Sequence, residues 1–504
     1  MTNHSTSRFI IGEKMTSKKS LVLLVLFSTV ILVLSGQNSG WEWVRSFGGV
    51  EVNRYDYADP GEKFNFVSCD ASNNIYVAGN MLDTAIAGDI ELQGNGDFDI
   101  VVAKLNPQGQ YLWATNLGGL GMDLPSGLSL DSDGNAYLTG IFSGTLRLGG
   151  FTLQSRGDTD IFVAKINTEG IWQWVRQAGS QIALDDELEG EILEGIGEFS
   201  IDIKTNEQGS SVVIGIAHGL TQFGSHSLNL RGEEWFLASI DTNGNWIWAK
   251  SMGERINGEK IRSMALTLDK DKILTVVSAG SLVETQEVAV CDSGSVIPQA
   301  SIEKNIPDTP GFLVISNHSM DGDTIGEHTE SKALLQIKRI VSDESGSVFV
   351  ACIGFGKEYG GQSFRNRGIA FVARMDSLGS FNWVRAISSE NYDESTLNLS
   401  LGFDSRLYVV SEAKNLVQGF PYRASAAHSA MLSSYDTDGN FLWAQSFGEN
   451  PSYIPFEAPG LILDNQNHII VSGRYGGAVS LGRYRLNSDN WGDAFVGRLT
   501  PHDR

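Results

Sequence analysis

One block of sequence recurs along this chain, and a recurring block restricts the fold more than any single motif can. Asp160-Ile161-Phe162-Val163-Ala164-Lys165-Ile166-Asn167 is followed by Thr168-Glu169-Gly170 and then by Trp172-Gln173-Trp174-Val175-Arg176. The same order appears at Asp99-Ile100-Val101-Val102-Ala103-Lys104-Leu105-Asn106, with a turn at Gln108-Gly109 and then Leu112-Trp113-Ala114. Further copies begin at Trp235, Gly311, Ala370 and Ala430. A last one, Ala494-Phe495-Val496-Gly497-Arg498-Leu499-Thr500, stops before its tryptophan strand. The strand after each turn carries a tryptophan: Trp43, Trp113, Trp174, Trp248, Trp383 and Trp443; in one copy Ile325 stands at the tryptophan's expected place. The spacing, roughly 58 to 77 residues, suits four strands and their loops.

A second motif recurs out of phase with the first. Ser72-Asn73-Asn74-Ile75-Tyr76-Val77-Ala78-Gly79 and Asp133-Gly134-Asn135-Ala136-Tyr137-Leu138-Thr139-Gly140 each set a polar turn before an alternating strand. Related copies centre on Val212, Leu274, Phe349, Tyr408 and Ile469. Alternation of apolar with small or polar residues marks a half-buried strand, and Asp-Gly-Asn supplies residues that tolerate a tight hairpin. A short strand precedes each copy, as in Gly127-Leu128-Ser129-Leu130 and Gly460-Leu461-Ile462-Leu463.

Each unit therefore reads as four antiparallel strands, and a four-stranded sheet needs neighbours to cover both faces. The expected fold is all-β: a seven-bladed β-propeller of four-stranded antiparallel blades. The chain offers a lone strand, Trp41-Glu42-Trp43-Val44-Arg45, near its start and lacks one strand at its end. Joining the N-terminal strand to the last blade would close the ring and remove two exposed edges.

The D-[IV]-[FV]-V-A-K block, the glycine turn, the L-W-A strand and the D-x-D-G-N-x-Y-x-x-G strand resemble the SBBP family of bacterial β-propeller repeats. The resemblance spans residues 41–504, strongest over 97–177 and weakest from 254 to 345. It implies a propeller in an exported or surface protein of bacteria, and it brings no catalytic residues with it.

The chain's own features agree with export. Lys18 and Lys19 precede an apolar run from Leu21 to Leu34, then Ser35-Gly36-Gln37, the order of a secretory signal. That run, roughly 14 residues, is shorter than the about 20 of a membrane-spanning helix. Residues 1–36 are read as the signal, with Met15 as an alternative start, and 37–504 as the propeller, without a membrane span once the signal is removed. An uncleaved anchor is the rival reading. A formal net charge of −23 argues against nucleic acid as a partner. Cys69, Cys291 and Cys352 cannot all pair with one another, and no C-x-x-C occurs.

The tryptophans recur once per repeat, so they read as structural blade anchors rather than a sugar platform. Asp131-Ser132-Asp133-Gly134-Asn135, Asp241-Thr242-Asn243-Gly244-Asn245 and Asp436-Thr437-Asp438-Gly439-Asn440 resemble the front half of a calcium loop. None has the later bidentate carboxylate, so they read first as turns, with Asp131, Asp133, Asp436 and Asp438 as the calcium alternative. Residues 181–198 form an acidic stretch in which Asp185, Asp186, Glu187, Glu189 and Glu191, with Glu194 and Glu198, are a candidate interaction loop. Residues 279–310, including Cys291, extend the fourth unit. No catalytic motif is present: no G-x-S-x-G, H-E-x-x-H or Walker loop occurs. The expected role is a monomeric, non-catalytic binding or scaffold protein, without cofactor, that recognises protein or polysaccharide in the periplasm, at the surface or outside the cell. A carbohydrate-active propeller hydrolase or lyase, with carboxylates converging on the axis, and a calcium-stabilised adhesin are the alternatives.

Overall fold

The computed structural model describes residues 40–49, 63–96, 98–180, 198–256, 259–269, 272–279, 283–285, 303–305, 312–331, 335–343, 345–354, 358–359, 362–363, 369–376, 379–387, 397–412, 429–448 and 456–501. The proposed signal, the acids from Asp185 to Glu194 and Cys291 lie outside them. No helix occurs among the described residues.

The sheets of four or more strands follow one another along the chain and are antiparallel throughout. Within each sheet the strands step outward from the axis, the first strand innermost. The first sheet holds Lys63–Cys69, Ile75–Met81, Asp99–Leu105 and Tyr111–Leu117, and the second Asp123–Leu130, Ala136–Phe142, Asp160–Ile166 and Trp172–Ser180. The third holds Phe199–Thr205, Ser211–Ala217, Glu234–Ile240 and Trp246–Gly253. Glu259–Asp269, Lys272–Ala279, Phe312–Ser319 and Thr324–Ser331 form the fourth, and Leu335–Ser342, Val348–Gly354, Ile369–Met375 and Phe381–Ala386 the fifth. The sixth is Asn398–Leu401, Arg406–Glu412, Ala430–Asp436 and Phe441–Phe447. The seventh takes Glu457–Leu463, Ile469–Leu481 and Tyr484–Leu499 from the end of the chain, and Trp41–Gly49 from its beginning. That last strand pairs Val44 with Gly497 and Phe47 with Ala494.

Each inner strand lies beside the inner strands of the preceding and following sheets, and the seventh lies beside the first. Antiparallel sheets arranged around a common axis in this way make a β-propeller. The burial pattern explains why the sequence builds it. Every residue of Ile75–Met81, Asp99–Leu105 and Ala136–Phe142 is buried, because a middle strand is covered on both faces by neighbouring sheets. Apolar clusters fill the seams. Ala78, Ile100 and Val102 of the first sheet meet Leu138, Phe162 and Ala164 of the second. Each such fully buried large side chain contributes about 1.5–3 kcal/mol.

Two local devices shape the ring. Hairpins inserted between second and third strands reach back to the preceding sheet: Thr84–Ala87 pairs with Trp41–Gly49, and Leu220–Phe223 with Trp172–Ser180. The inner strands carry β-bulges at one level, where the extra residue is Asn65, Ser126, Ile201, Arg262 or Lys338 in the first five sheets. An inner strand has a partner on one side only, and a bulge there bends the strand and increases its local twist.

Candidate functional site

The six tryptophans of the repeat form a latch between sheets. Each sits on an outer strand, and in five of them the indole N–H donates to a carbonyl in the third-to-outer turn of the next sheet. Trp43 reaches Pro107 O at 2.9 Å, Trp113 reaches Thr168 O at 2.9 Å, and Trp174 reaches Thr242 O at 3.0 Å. Trp248 reaches Met320 O at 2.8 Å and Trp383 reaches Thr437 O at 3.0 Å. Trp443 holds the equivalent place, but its Nε1 has no acceptor among the described residues. The glycine of the receiving turn is required twice over. Gly170 has φ +80°, and a Cβ there would stand 2.8 Å from the Trp113 ring; Gly244 has φ +82° and would meet Trp174 at 2.8 Å.

A residue two places after the tryptophan completes the latch, and the sequence reading missed it. Residues i and i+2 share a strand face, so Arg45, Arg176, Lys250 and Arg385 lie over Trp43, Trp174, Trp248 and Trp383, with centroid distances of 5.5–5.8 Å. Their head groups donate onward to turn carbonyls, as Arg45 Nε does to Gly109 O at 2.7 Å and Arg385 Nε to Gly439 O at 2.6 Å. The recurrent Trp-x-Arg spacing was the signal available.

The fourth sheet requires a correction. Ile325 does not occupy the tryptophan register: Gly326 pairs with Asn317, as Trp248 pairs with Ser239, whereas Ile325 faces solvent at 60% exposure. Outward and inward positions alternate along a strand, so a displacement of one residue exchanges them.

The Asp-rich segments are turns of two kinds. Asp131 closes an inner-to-second turn, where its Oδ1 accepts the Asp133 N–H at 3.1 Å and the Asn135 N–H at 2.8 Å. Its Oδ2 accepts the Tyr137 hydroxyl at 3.1 Å and lies 3.5 Å from Lys165 Nζ. Lys104 and Asp70 repeat that pair at 3.3 Å, so the lysine of the V-A-K block ties a third strand to its own sheet's first turn. Asp241 and Asp436 instead close third-to-outer turns, the latter accepting from the N–H groups of Asp438 and Asn440. Desolvation pushes the Asp436 carboxyl up, but hydrogen bonds from Asn440 and Asp438 outweigh it and hold it below the usual range. Asp438 points away from its own turn, 3.8 Å from Arg374 Nη1. No group of three His, Cys, Asp or Glu residues suited to a metal occurs among the described residues.

Glu198, read in the sequence with the acidic loop, is buried at the start of the third sheet's inner strand, at 1% exposure. His218 Nδ1 lies 3.5 Å from its carboxylate and 3.3 Å from the Ser180 hydroxyl. Burial pushes the Glu198 carboxyl up to about 7. At the preceding seam, burial pushes Asp123 up to about 8, although its Oδ2 accepts the Gly119 N–H at 2.8 Å. Cys69 and Cys352 are both free thiols, in the first and fifth sheets.

The axis of the ring gathers a different set of charges. Glu457 Oε2 takes Lys63 Nζ at 2.5 Å, and its Oε1 takes Arg474 Nη2 at 2.9 Å. Asp202 is held by Lys204 and lies 3.6 Å from Arg339 Nη1. The third and fifth sheets are separated by the fourth, so the Asp202–Arg339 contact passes in front of the fourth sheet's inner strand. At that register the fourth sheet carries Ser263, small enough to leave room. Burial draws the Lys204 ammonium down to about 8 despite Asp202 beside it. Chemically, each of these two carboxylates is shared by two cations. Neither Asp202 nor Arg339 had a sequence signal beyond its place in an inner strand.

No family model and no curated protein matches the chain. Among solved structures it is similar to a protein of unknown function from Bacteroides caccae, at 10% identity over 70% of this chain and 92% of that one, with a TM-score of 0.33. A luciferin-regenerating enzyme matches at 10% identity over 74% and 90%, with a TM-score of 0.34. A gluconolactonase from Xanthomonas campestris matches at 11% identity over 76% and 90%, with a TM-score of 0.30. No helix among the described residues is long and apolar enough to cross a membrane.

Proposed function

We propose that this chain is an exported, seven-bladed propeller of the SBBP type that works as a non-catalytic binding or scaffold protein. Its place is the bacterial envelope or the outside of the cell, and its partner is a protein or a polysaccharide. Seven four-stranded units, the N-terminal strand in the seventh, and the recurrent tryptophan latch support the seven-bladed reading. The Lys18–Leu34 leader supports export.

The observation that carries the non-catalytic reading is the state of the axial carboxylates. Glycoside cleavage uses two carboxyl groups flanking one bond, one of them free to give a proton. Asp202 and Glu457 are each engaged by two cations, Lys204 with Arg339 and Lys63 with Arg474. Burial pushes the Glu457 carboxyl up, but Lys63 and Arg474 outweigh it and hold it below the usual range.

The test is a thermal-shift panel on the chain from Gln37, with purified glycans, divalent cations and chelator, followed by a turnover assay on any glycan that binds. A shift without turnover, insensitive to chelator, is the expected result. Cleavage of a bound glycan would overturn the non-catalytic reading, and a fall in Tm with chelator would replace it with a calcium-stabilised adhesin.

A further inference from the structure

The inner strands do not share the acidic excess of the rest of the molecule. The whole chain has 37 Lys and Arg against 60 Asp and Glu. Along the described inner strands the two signs nearly balance, with six Lys and Arg against five Asp and Glu: Lys63, and Arg474 of the neighbouring second strand, share Glu457, and Lys204 and Arg339 share Asp202. Arg262 and Lys338 are the extra residues of the fourth and fifth sheets' bulges, next to Ser263 and Arg339.

Arg339 is the group least supplied with acceptors. Its guanidinium has five N–H donors. Its Nε is buried without an acceptor among the described residues, and its Nη1 stands 3.6 Å from Asp202, beyond good hydrogen-bond length. A buried donor left unmade costs free energy that an incoming acceptor would restore. An acceptor that also carries negative charge would balance Lys204 and Arg339 better than one shared carboxylate does, and a planar guanidinium matches the two oxygens of a carboxylate or phosphate.

We propose that the Lys204–Asp202–Arg339 cluster of the inner strands is a binding site for an oxyanion, a carboxylate or phosphate group borne by a small molecule, with Arg339 and Lys204 as its ligands. Asp202 holds the two cations in position while the site waits. This rests on the binding-protein reading above and names the chemistry that such a protein recognises.

Calorimetric titration of the chain from Gln37, at constant ionic strength in chloride, tests it with inorganic phosphate, glucuronate and glucose. Phosphate, glucuronate or both should bind and raise Tm, and neutral glucose should not. The stronger of the two anions identifies the source as phosphate or sugar acid. Arg339→Met and, separately, Lys204→Met should each weaken binding at least tenfold. Since either change also frees Asp202, Arg339→Lys is the second variant: it keeps the charge, loses the fork, and should bind more weakly than the parent while melting cooperatively. Silence with both anions at millimolar concentration, or affinity unchanged in all three variants, would overturn the proposal. A glycan from the panel that still binds the Arg339→Met chain would leave the binding reading standing while the oxyanion site falls. Loss of all binding by the parent chain would remove both.

Discussion

The seam between the second and third sheets and the seam between the fourth and fifth follow one plan with different filling. The former buries Tyr137, Trp174, Phe223, Phe236 and Trp246, and its indole latch ends on the Thr242 carbonyl with Arg176 stacked on the ring. The latter buries Leu274, Val276, Ile315, Ile337, Ile340 and Val350, and Gly326 stands where the latch tryptophan would be. Packing without an indole latch, aliphatic apart from the Phe371–Phe381 pair, is therefore enough to join two sheets. The indole adds direction: one donor, one carbonyl and one glycine face that fix how far one sheet slides along the next.

The largest expected effect is on the latched seam. Trp174→Ala removes a buried ring, an indole hydrogen bond and the support under Arg176, and should cost about 3–5 kcal/mol in chemical denaturation. A loss below about 1 kcal/mol, within the range of an ordinary surface change, would show that the aliphatic contacts carry both seams alike.

Acid–base behaviour should divide the molecule in the same way. Asp123 and Glu198 are both buried at latched seams, and burial raises them to about 8 and about 7. A carboxyl raised in the folded state binds its proton more tightly there than in the unfolded chain. Its contribution is thus fully present below the unfolded value near 4 and is lost as pH rises through the folded one. Tm should fall between pH 5 and pH 8, and Asp123→Asn should flatten that fall more than Glu198→Gln. A Tm constant across the interval would break the assignment of these two acids.

A smaller contrast separates the two glycines. Gly244→Ala would place a methyl against the Trp174 ring at a positive φ and should cost more than about 1 kcal/mol. Nothing lies within 4 Å of a Cβ on Gly326, so Gly326→Ala should leave stability within about 0.5 kcal/mol of the parent or raise it slightly. Equal losses at both would mean that the fourth–fifth seam is as tightly specified as the other.

These expectations also mark what the chain's letters could reveal. The strand repeat, the tryptophan of each outer strand and the pairing of Trp41–Gly49 with the end of the chain follow from periodicity, because identical surroundings demand identical residues. The degenerate copy misled by one residue: with the tryptophan gone, Ile325 was the large apolar neighbour, and only the pairing of Asn317 with Gly326 fixes the face. Glu198 looked solvated because it follows a run of acids, yet burial depends on its strand and not on its company. The axial cluster was unreadable for a different reason. Asp202 and Arg339 lie on strands that are neither adjacent in sequence nor paired in a sheet, and only the stacking of the third, fourth and fifth sheets on one another brings them together.

The smallest effect is the most discriminating, because it tries to convert one seam into the other. Gly326→Trp would place an indole in the register of Trp174 and Trp248, facing a turn whose Gly379 already has φ +85°. If the receiving turn has kept its latch geometry, the ring should stack on that glycine, donate its N–H to the turn and add about 1 kcal/mol. The sequence there reads Gly326-Glu327-His328, so His328 takes the place of the stacking arginine. Adding His328→Arg should then give a further gain, read as an upward shift of the denaturation midpoint in the double variant over the single one. A fall in the midpoint for Gly326→Trp would mean that the aliphatic seam has closed over the slot. The two seams would then be distinct solutions to packing one sheet on the next, and not one solution with a part missing.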